Sequence, residues 1–344
     1  PGWRRPVKPL RVVVADSSMS VRGVLKRFFE ARPNIQIVGE AENGKTAFAL
    51  VGDVRPDALV LDLDLPDSGD LMPSIALRHP VPVFLIAGRT QRQALLDVFA
   101  AGHHGVVAVH ERPELPEQWE ALCTSLADAI AEMETGREHP LEEDHAPRAV
   151  VAGDISRVAI GASTGGPNAV AELLAALGER PRVGIVLVQH ISPGFETVLA
   201  EWLNGTLPLD VRVASDGEPL LAGSVRIAPA GSHCVLEPDG VIRLLDARAA
   251  VNGHQPSVET LFHSLLGHPS SAVAAVLLSG MGSDGAEAML ELRRQEVLTI
   301  AQDRRSCAVF GMPRAAIERR AASVVLPPGA IGRLLAGRDV SVDD

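Results

Sequence analysis

Three residues with complementary chemistry stand at or just beyond the carboxyl ends of short apolar runs. Ser163 follows Val158-Ala159-Ile160-Gly161-Ala162, His190 follows Ile185-Val186-Leu187-Val188-Gln189, and Asp284 lies in the loop after residues 272–278. Nucleophilic acyl transfer needs these types: a hydroxyl to attack, an imidazole to take its proton and a carboxylate to orient the imidazole. Gly161 and Ala162 allow a sharp turn before the serine. Gly165-Gly166-Pro167 after it suits the first turn of a helix, whose free N–H groups and partial positive charge favour a developing oxyanion. Taken alone, the serine segment reads equally as a strand-to-helix turn with a capping serine. A lone His or Asp at a strand end is more often a cap, but three complementary groups at three strand ends point to catalysis. The order Ser, His, Asp differs from those of the α/β-hydrolases, chymotrypsin and subtilisin, so none of those folds accounts for it.

The elements around these residues predict an open α/β sheet, whose ligands gather at the carboxyl edge of the strands. The first third of the chain repeats the pattern on a smaller scale. Apolar runs at residues 12–15, 35–38, 58–63, 81–87 and 105–109 alternate with amphipathic stretches, one of which carries Val21, Val24, Leu25, Phe28 and Phe29 at helical spacing. Five such units predict a small doubly wound sheet. Asp16 follows its first strand and Asp62 ends its third, so two carboxylates at adjacent strand ends form an acidic pocket suited to Mg²⁺ and a phosphoryl group. Between the halves, Gly136, Pro140, Pro147 and a run of acids break any periodicity, which predicts a linker over residues 135–152, with domains at 10–134 and 153–340.

Composition agrees with two domains and excludes several function classes. A chain of 344 residues exceeds the size at which one core stops growing, and 46% hydrophobic residues suffice for two. Aromatics make up 3% with no Tyr, so the cores must be built from Ala, Val and Leu. A net charge of -11 argues against a nucleic-acid partner. Cys123, Cys234 and Cys307 are few, odd in number and without metal spacing, which suggests a reducing compartment. The histidines show no H-E-x-x-H spacing, and Pro167-Asn168 follow the glycines where a phosphate-binding loop would need Lys and Ser or Thr. No apolar run reaches the length of a membrane span, and the basic start does not read as a signal peptide, so a cytoplasmic, non-embedded protein is expected.

The segments Ile160-Gly161-Ala162-Ser163-Thr164-Gly165-Gly166, Gln189-His190, Pro256-Ser257-Val258, Leu261-Phe262-His263-Ser264, Gly280-Met281-Gly282-Ser283-Asp284-Gly285 and Phe310-Gly311-Met312-Pro313 together resemble the catalytic domain of the chemotaxis receptor methylesterase (CheB) family over residues 155–336. The resemblance implies hydrolysis of glutamate γ-methyl esters on methyl-accepting chemotaxis receptors, with deamidation of certain glutamines. It implies Ser163 as nucleophile, His190 as base, Asp284 as its orienter, and the backbone at Thr164 and Met281 as the oxyanion site. His254, Gln255 and Ser257 become candidates for touching substrate. Catalysis of this kind calls for no cofactor. Two other functions stay open at this level: a non-catalytic signalling scaffold, and a hydrolase of another ester or amide, because Gln255 stands where the family has Arg and Ser283 where it has Asn.

Residues 10–134 resemble a response-regulator receiver domain, a flavodoxin-like (βα)5 fold, with Asp62 at the phosphoacceptor position and Asp16 beside it as a Mg²⁺ ligand. A histidine kinase is the partner this implies. The chain departs from the receiver pattern at Ala15, where an acid is usual, at Ala87, where Ser or Thr is usual, at Val109, read as the site of the usual Lys with His110 beside it, and at Gly69-Asp70, reversed from Asp-Gly. Those losses remove a metal-binding charge, a hydroxyl and a cation, and predict a receiver that does not answer to phosphorylation.

Overall fold

A computed structural model describes residues 8–68, 71–100, 105–138, 154–246 and 249–338, in two compact units, residues 1–138 and 139–344. Gly69-Asp70, His103-His104 and most of the expected linker lie outside the described residues.

The first unit alternates strand and helix: β1 (Leu10–Ala15), α1 (Met19–Glu30), β2 (Ile35–Ala41), α2 (Gly44–Val54), β3 (Ala58–Asp62), α3 (Leu71–Arg78), β4 (Val83–Ala87), α4 (Arg92–Ala100), β5 (Val106–Glu111) and α5 (Gln118–Glu138). Its five strands are all parallel, in the order β2-β1-β3-β4-β5. β3 and β4 are buried along their whole length, as expected of strands covered on both faces by helices. Side-chain caps start the first two helices: Ser18 accepts from Val21 N–H and Asn43 from Thr46 N–H. The order reverses at β1 and β3, which brings Asp16 and Asp62 to one crevice. Two boundaries differ from expectation. α5 continues through residues 135–138, the first part of the expected linker, because Gly136 alone does not stop a helix and the first proline comes at Pro140. β5 runs two residues past Val109, with a consequence described below.

In the second unit β6 (Arg157–Ala162), α6 (Gly166–Leu177), β7 (Gly184–Gln189), α7 (Phe195–Thr206), β8 (Asp210–Val213) and β9 (Ser224–Ile227) lead into a hairpin of β10 (His233–Leu236) and β11 (Ile242–Leu245). There follow α8 (Val258–Ser264), β12 (Val273–Leu277), α9 (Ala286–Arg294), β13 (Leu298–Gln302), α10 (Gly311–Glu318), β14 (Val324–Leu326) and α11 (Pro328–Leu335). Seven strands form one parallel sheet in the order β14-β13-β12-β6-β7-β9-β8, and the antiparallel pair β10-β11 stands outside it. The doubly wound expectation holds. β6 is central, and the topology switches on either side of it. Gly161 pairs with Val188 on one side and with Leu277 on the other, so β7, β6 and β12 end level. Their carboxyl ends carry His190, Ser163 and the loop to Asp284. Among the described residues, no helix is long and apolar enough to cross a membrane.

Candidate active site

Ser163 sits in the tight connection between β6 and α6. Its N–H donates to Ser279 O at 3.0 Å and its carbonyl accepts from Gly166 N–H at 2.8 Å, which fixes the turn from both sides. Gly165 makes the turn possible with φ of 79°, a left-handed conformation, and a side chain there would collide with Ala308 and Ser279. The loop after β12 closes over the serine. A Cβ on Gly280 would come 2.7 Å from Ser163 Cβ and 3.1 Å from its N, so only glycine lets the two backbones approach this closely. Gly280 is clamped in turn by Phe310-Gly311-Met312-Pro313: Gly280 N–H donates to Val309 O at 3.0 Å, and Gly280 O accepts from Met312 N–H at 2.8 Å. Thr164 follows Ser163 in the chain and Met281 follows Gly280, and among the described residues neither N–H donates to an acceptor.

His190 is placed by the end of β7, where its N–H donates to Ala162 O at 2.9 Å. The Gln189 amide donates to the carbonyls of both Ser163 (2.8 Å) and His190 (3.0 Å), tying the Ser163 turn to the end of β7. His190 Nε2 lies 3.0 Å from Asp284 Oδ2. Both ring nitrogens of His190 are buried and neither makes a hydrogen bond of full geometry among the described residues, so Nε2 meets Asp284 as a close ion-pair contact and Nδ1 has no partner.

Asp284 is almost wholly buried and richly solvated by protein. Ser257 Oγ donates to Oδ1 at 3.0 Å, Glu259 N–H to Oδ1 at 3.2 Å, Val258 N–H to Oδ2 at 2.7 Å, and Asn252 Nδ2 stands 3.4 Å from Oδ1. Burial by itself would raise the Asp284 pKa. The hydrogen bond and charge of His190, with the N–H groups of Val258 and Glu259, overcome that and hold it at about 2. Asp284 is thus an ionised partner for an imidazole.

The three residues proposed to touch substrate fare differently. His254 stacks flat on His190, ring centroids 3.8 Å apart. The Gln255 amide approaches Asp246 O at 3.5 Å. Ser257 is a correction: it is fully buried, with its hydroxyl committed to Asp284 and to capping α8 through Thr260 N–H, so it positions the carboxylate and cannot meet substrate. Glu259, unnoticed in the sequence, is a buried side chain accepting from Gly285 N–H (3.0 Å) and Ala288 N–H (2.7 Å), and thereby holds the start of α9 next to Asp284. Of the three thiols Cys123 and Cys234 are buried, and burial raises Cys307 well above the usual thiol range, so none is a competing nucleophile.

Residues 158–335 match the family described as CheB methylesterase, and residues 12–115 match the response regulator receiver domain. A relative from Geobacter metallireducens named protein-glutamate methylesterase/protein-glutamine glutaminase 4 is 34% identical over 335 residues, covering 94% of this chain and 96% of its own. The chain belongs to the CheB methylesterase family. A second relative, protein-glutamate methylesterase/protein-glutamine glutaminase 2 of Anaeromyxobacter dehalogenans, is 37% identical over 95% of this chain and 96% of its own. The crystal structure of the Thermotoga maritima CheB methylesterase catalytic domain superposes with a TM-score of 0.50 at 35% identity, over 53% of this chain and 97% of that one.

In the receiver of this CheB-family chain, Asp16 and Asp62 do meet, both almost completely buried. The missing cation is a second correction. Val109 lies inside β5, buried, and the strand ends at Glu111, so the residue reaching the pocket is Arg112. Its Nη1 is 2.8 Å from Asp62 Oδ2 and 3.0 Å from Asp16 Oδ2. His110 cannot serve instead, because burial pushes its pKa down to about 4 and leaves it neutral. Burial, and then the charge of Asp16, raises the Asp62 carboxyl against the opposing pull of Arg112.

Proposed function

We propose that this chain hydrolyses glutamate γ-methyl esters of methyl-accepting chemotaxis receptors by an acyl-enzyme route on Ser163, acting at their cytoplasmic portions. The observation that carries the reading is the His190–Asp284 contact of 3.0 Å at the strand ends beside Ser163. Asp284 orients the ring through Nε2, which leaves Nδ1 as the nitrogen to take the proton of the Ser163 hydroxyl. The Ser163 oxygen adds to the ester carbonyl, and the N–H groups of Thr164 and Met281 receive the oxyanion. Collapse breaks the bond to the methoxy group, which leaves as methanol with the proton from His190. A water molecule then gives its proton to Nδ1, adds to the acyl-serine, and releases the glutamate carboxylate and the serine hydroxyl. A primary amide in the ester's place leaves as ammonia by the same steps. This fits relatives named as both esterase and glutaminase. No step calls for a cofactor.

Methanol release from methylated receptors of the same cell tests the substrate, and labelling of Ser163 by a fluorophosphonate tests the nucleophile. Both are expected. Labelling without methanol release would assign the site to another ester or amide, and neither would make the chain a scaffold. The receiver fold brings a histidine kinase with it as a partner class, but its acceptor pocket departs from what such a partner needs.

A further inference from the structure

A receiver that takes a phosphoryl group does so beside a Mg²⁺ ion, which demands about six oxygen ligands in near-octahedral array at about 2.1 Å. The residues present do not fit that ion. The two carboxylate oxygens that would face it, Asp16 Oδ2 and Asp62 Oδ2, both lie within 3.0 Å of one nitrogen, Arg112 Nη1. The other oxygen of each already has a backbone donor, Ser18 N–H at 2.7 Å for Asp16 and Asp64 N–H at 3.4 Å for Asp62. The position that would supply a third carboxylate is Ala15, and the strand end that would supply a hydroxyl is Ala87, both buried methyl groups. Among the described residues, no group of three or more His, Cys, Asp or Glu side chains is arranged to hold a metal.

Arg112 is also well anchored. Its N–H donates to Ala87 O at 2.8 Å, and Pro113 follows it, so the side chain leaves the end of β5 in a fixed direction. A guanidinium does not lose its proton in a protein, and its planar fork loses less freedom per hydrogen bond than an ammonium stem. A second guanidinium, that of Arg22, reaches over the Asp16 loop and donates to Asp16 O at 2.7 Å.

We propose that Arg112 is a built-in cation standing in the place of Mg²⁺, so that this receiver neither binds the metal nor accepts a phosphoryl group at Asp62. Phosphoryl transfer would require Asp62 to attack phosphorus, form an acyl phosphate and expel the donor's leaving group. The pocket would then hold the phosphoryl charge and Asp16 against one guanidinium, with no metal to balance them and no hydroxyl at residue 87 to follow the new group. Without contacts that differ between the two states, the equilibrium between them does not shift. This inference stands apart from the esterase reading, and its test does not use esterase activity.

The full chain is incubated with acetyl phosphate and Mg²⁺, its intact mass is measured, and its melting is followed with and without Mg²⁺. Wild type is expected to gain no phosphoryl mass and to melt unchanged. Arg112→Ala vacates the space between the carboxylates, so Mg²⁺ should raise its melting temperature, as a ligand of the native state does. Ala15→Asp with Ala87→Thr and Arg112→Lys restores the missing groups and should gain a Mg²⁺-dependent adduct that Asp62→Ala abolishes. A Mg²⁺-dependent adduct on wild type, removed by Asp62→Ala, overturns the proposal. So does a folded Arg112→Ala variant indifferent to Mg²⁺, or a folded triple variant that takes no phosphoryl group.

Discussion

His254 lies flat against His190, the planes 5° from parallel and the ring centroids 3.8 Å apart. Burial first, and then the neighbouring His190, lowers the proton affinity of His254, with Asp284 opposing. A neutral His254 can back a ring that, as the proposed base, becomes positive during each turnover, whereas two stacked imidazolium ions would repel. Its contribution is then to hold the plane of His190, one face of which would otherwise lose its support. His254→Ala should lower kcat by about 10-fold to 100-fold, the range expected when a catalytic group shifts by about 1 Å. His254→Phe, which keeps a flat ring, should retain most of it. Equal losses in the two variants, measured as methanol release, would assign His254 a polar role instead.

Ser163→Ala and His190→Ala should each reduce turnover by about 10³ or more, while Asp284→Asn should be damaging but less so. Circular dichroism establishes that each variant is folded. A folded Ser163→Ala enzyme with near wild-type methanol release would sink the acyl-enzyme route.

How far the sequence discloses this site follows from which contacts are local. Ser163, His190 and Asp284 stand out because each is a polar residue at or just beyond the end of a short apolar run, and a parallel sheet gathers such ends at one edge. Glu259 gives no such sign. It looks like a surface charge in the first turn of a short helix, and its partners, Gly285 and Ala288, are brought to it only by folding. Ser257 carries the mark of a helix cap, yet its second bond, to Asp284, is equally non-local. Arg112 was hidden by a strand end. The apolar run stops at Val109 and points to that position for the cation, although a charged residue directly before Pro113 is a usable sign that the strand ends there.

The acid limb of stability should report Asp284. Its pKa is depressed from 3.8 to about 2, so its contribution to stability is present above 3.8 and is lost as the pH falls through about 2. The amount is on the order of 2 kcal/mol for the catalytic unit. Glu259 acts in the opposite sense, since burial raises it above 4.5, so its effect belongs to higher pH and does not overlap. Denaturant midpoints measured across the acid range should fall for wild type within that lower window. Asp284→Asn should flatten that part of the curve, and an unchanged slope would show that the carboxylate is not held as described.

Ser257→Ala separates positioning from substrate contact. The hydroxyl donates to Asp284 Oδ1 at 3.0 Å and accepts from Thr260 N–H at 3.4 Å, and the residue is fully buried. Losing the cap should reduce stability by about 1 kcal/mol. Losing the donor leaves Asp284 with the N–H groups of Val258 and Glu259, with Asn252 Nδ2 and with His190, so the carboxylate stays ionised but is held less firmly in its plane. The imidazole it orients then spends less time facing Ser163. The expected result is a fall in kcat of about 10-fold with KM for methylated receptor nearly unchanged, since an interaction acting through the base is not made with bound substrate. Ser257→Thr keeps the hydroxyl and should recover much of kcat if the extra methyl is accommodated. A rise in KM with kcat preserved in Ser257→Ala would return this residue to the substrate surface and contradict the buried geometry.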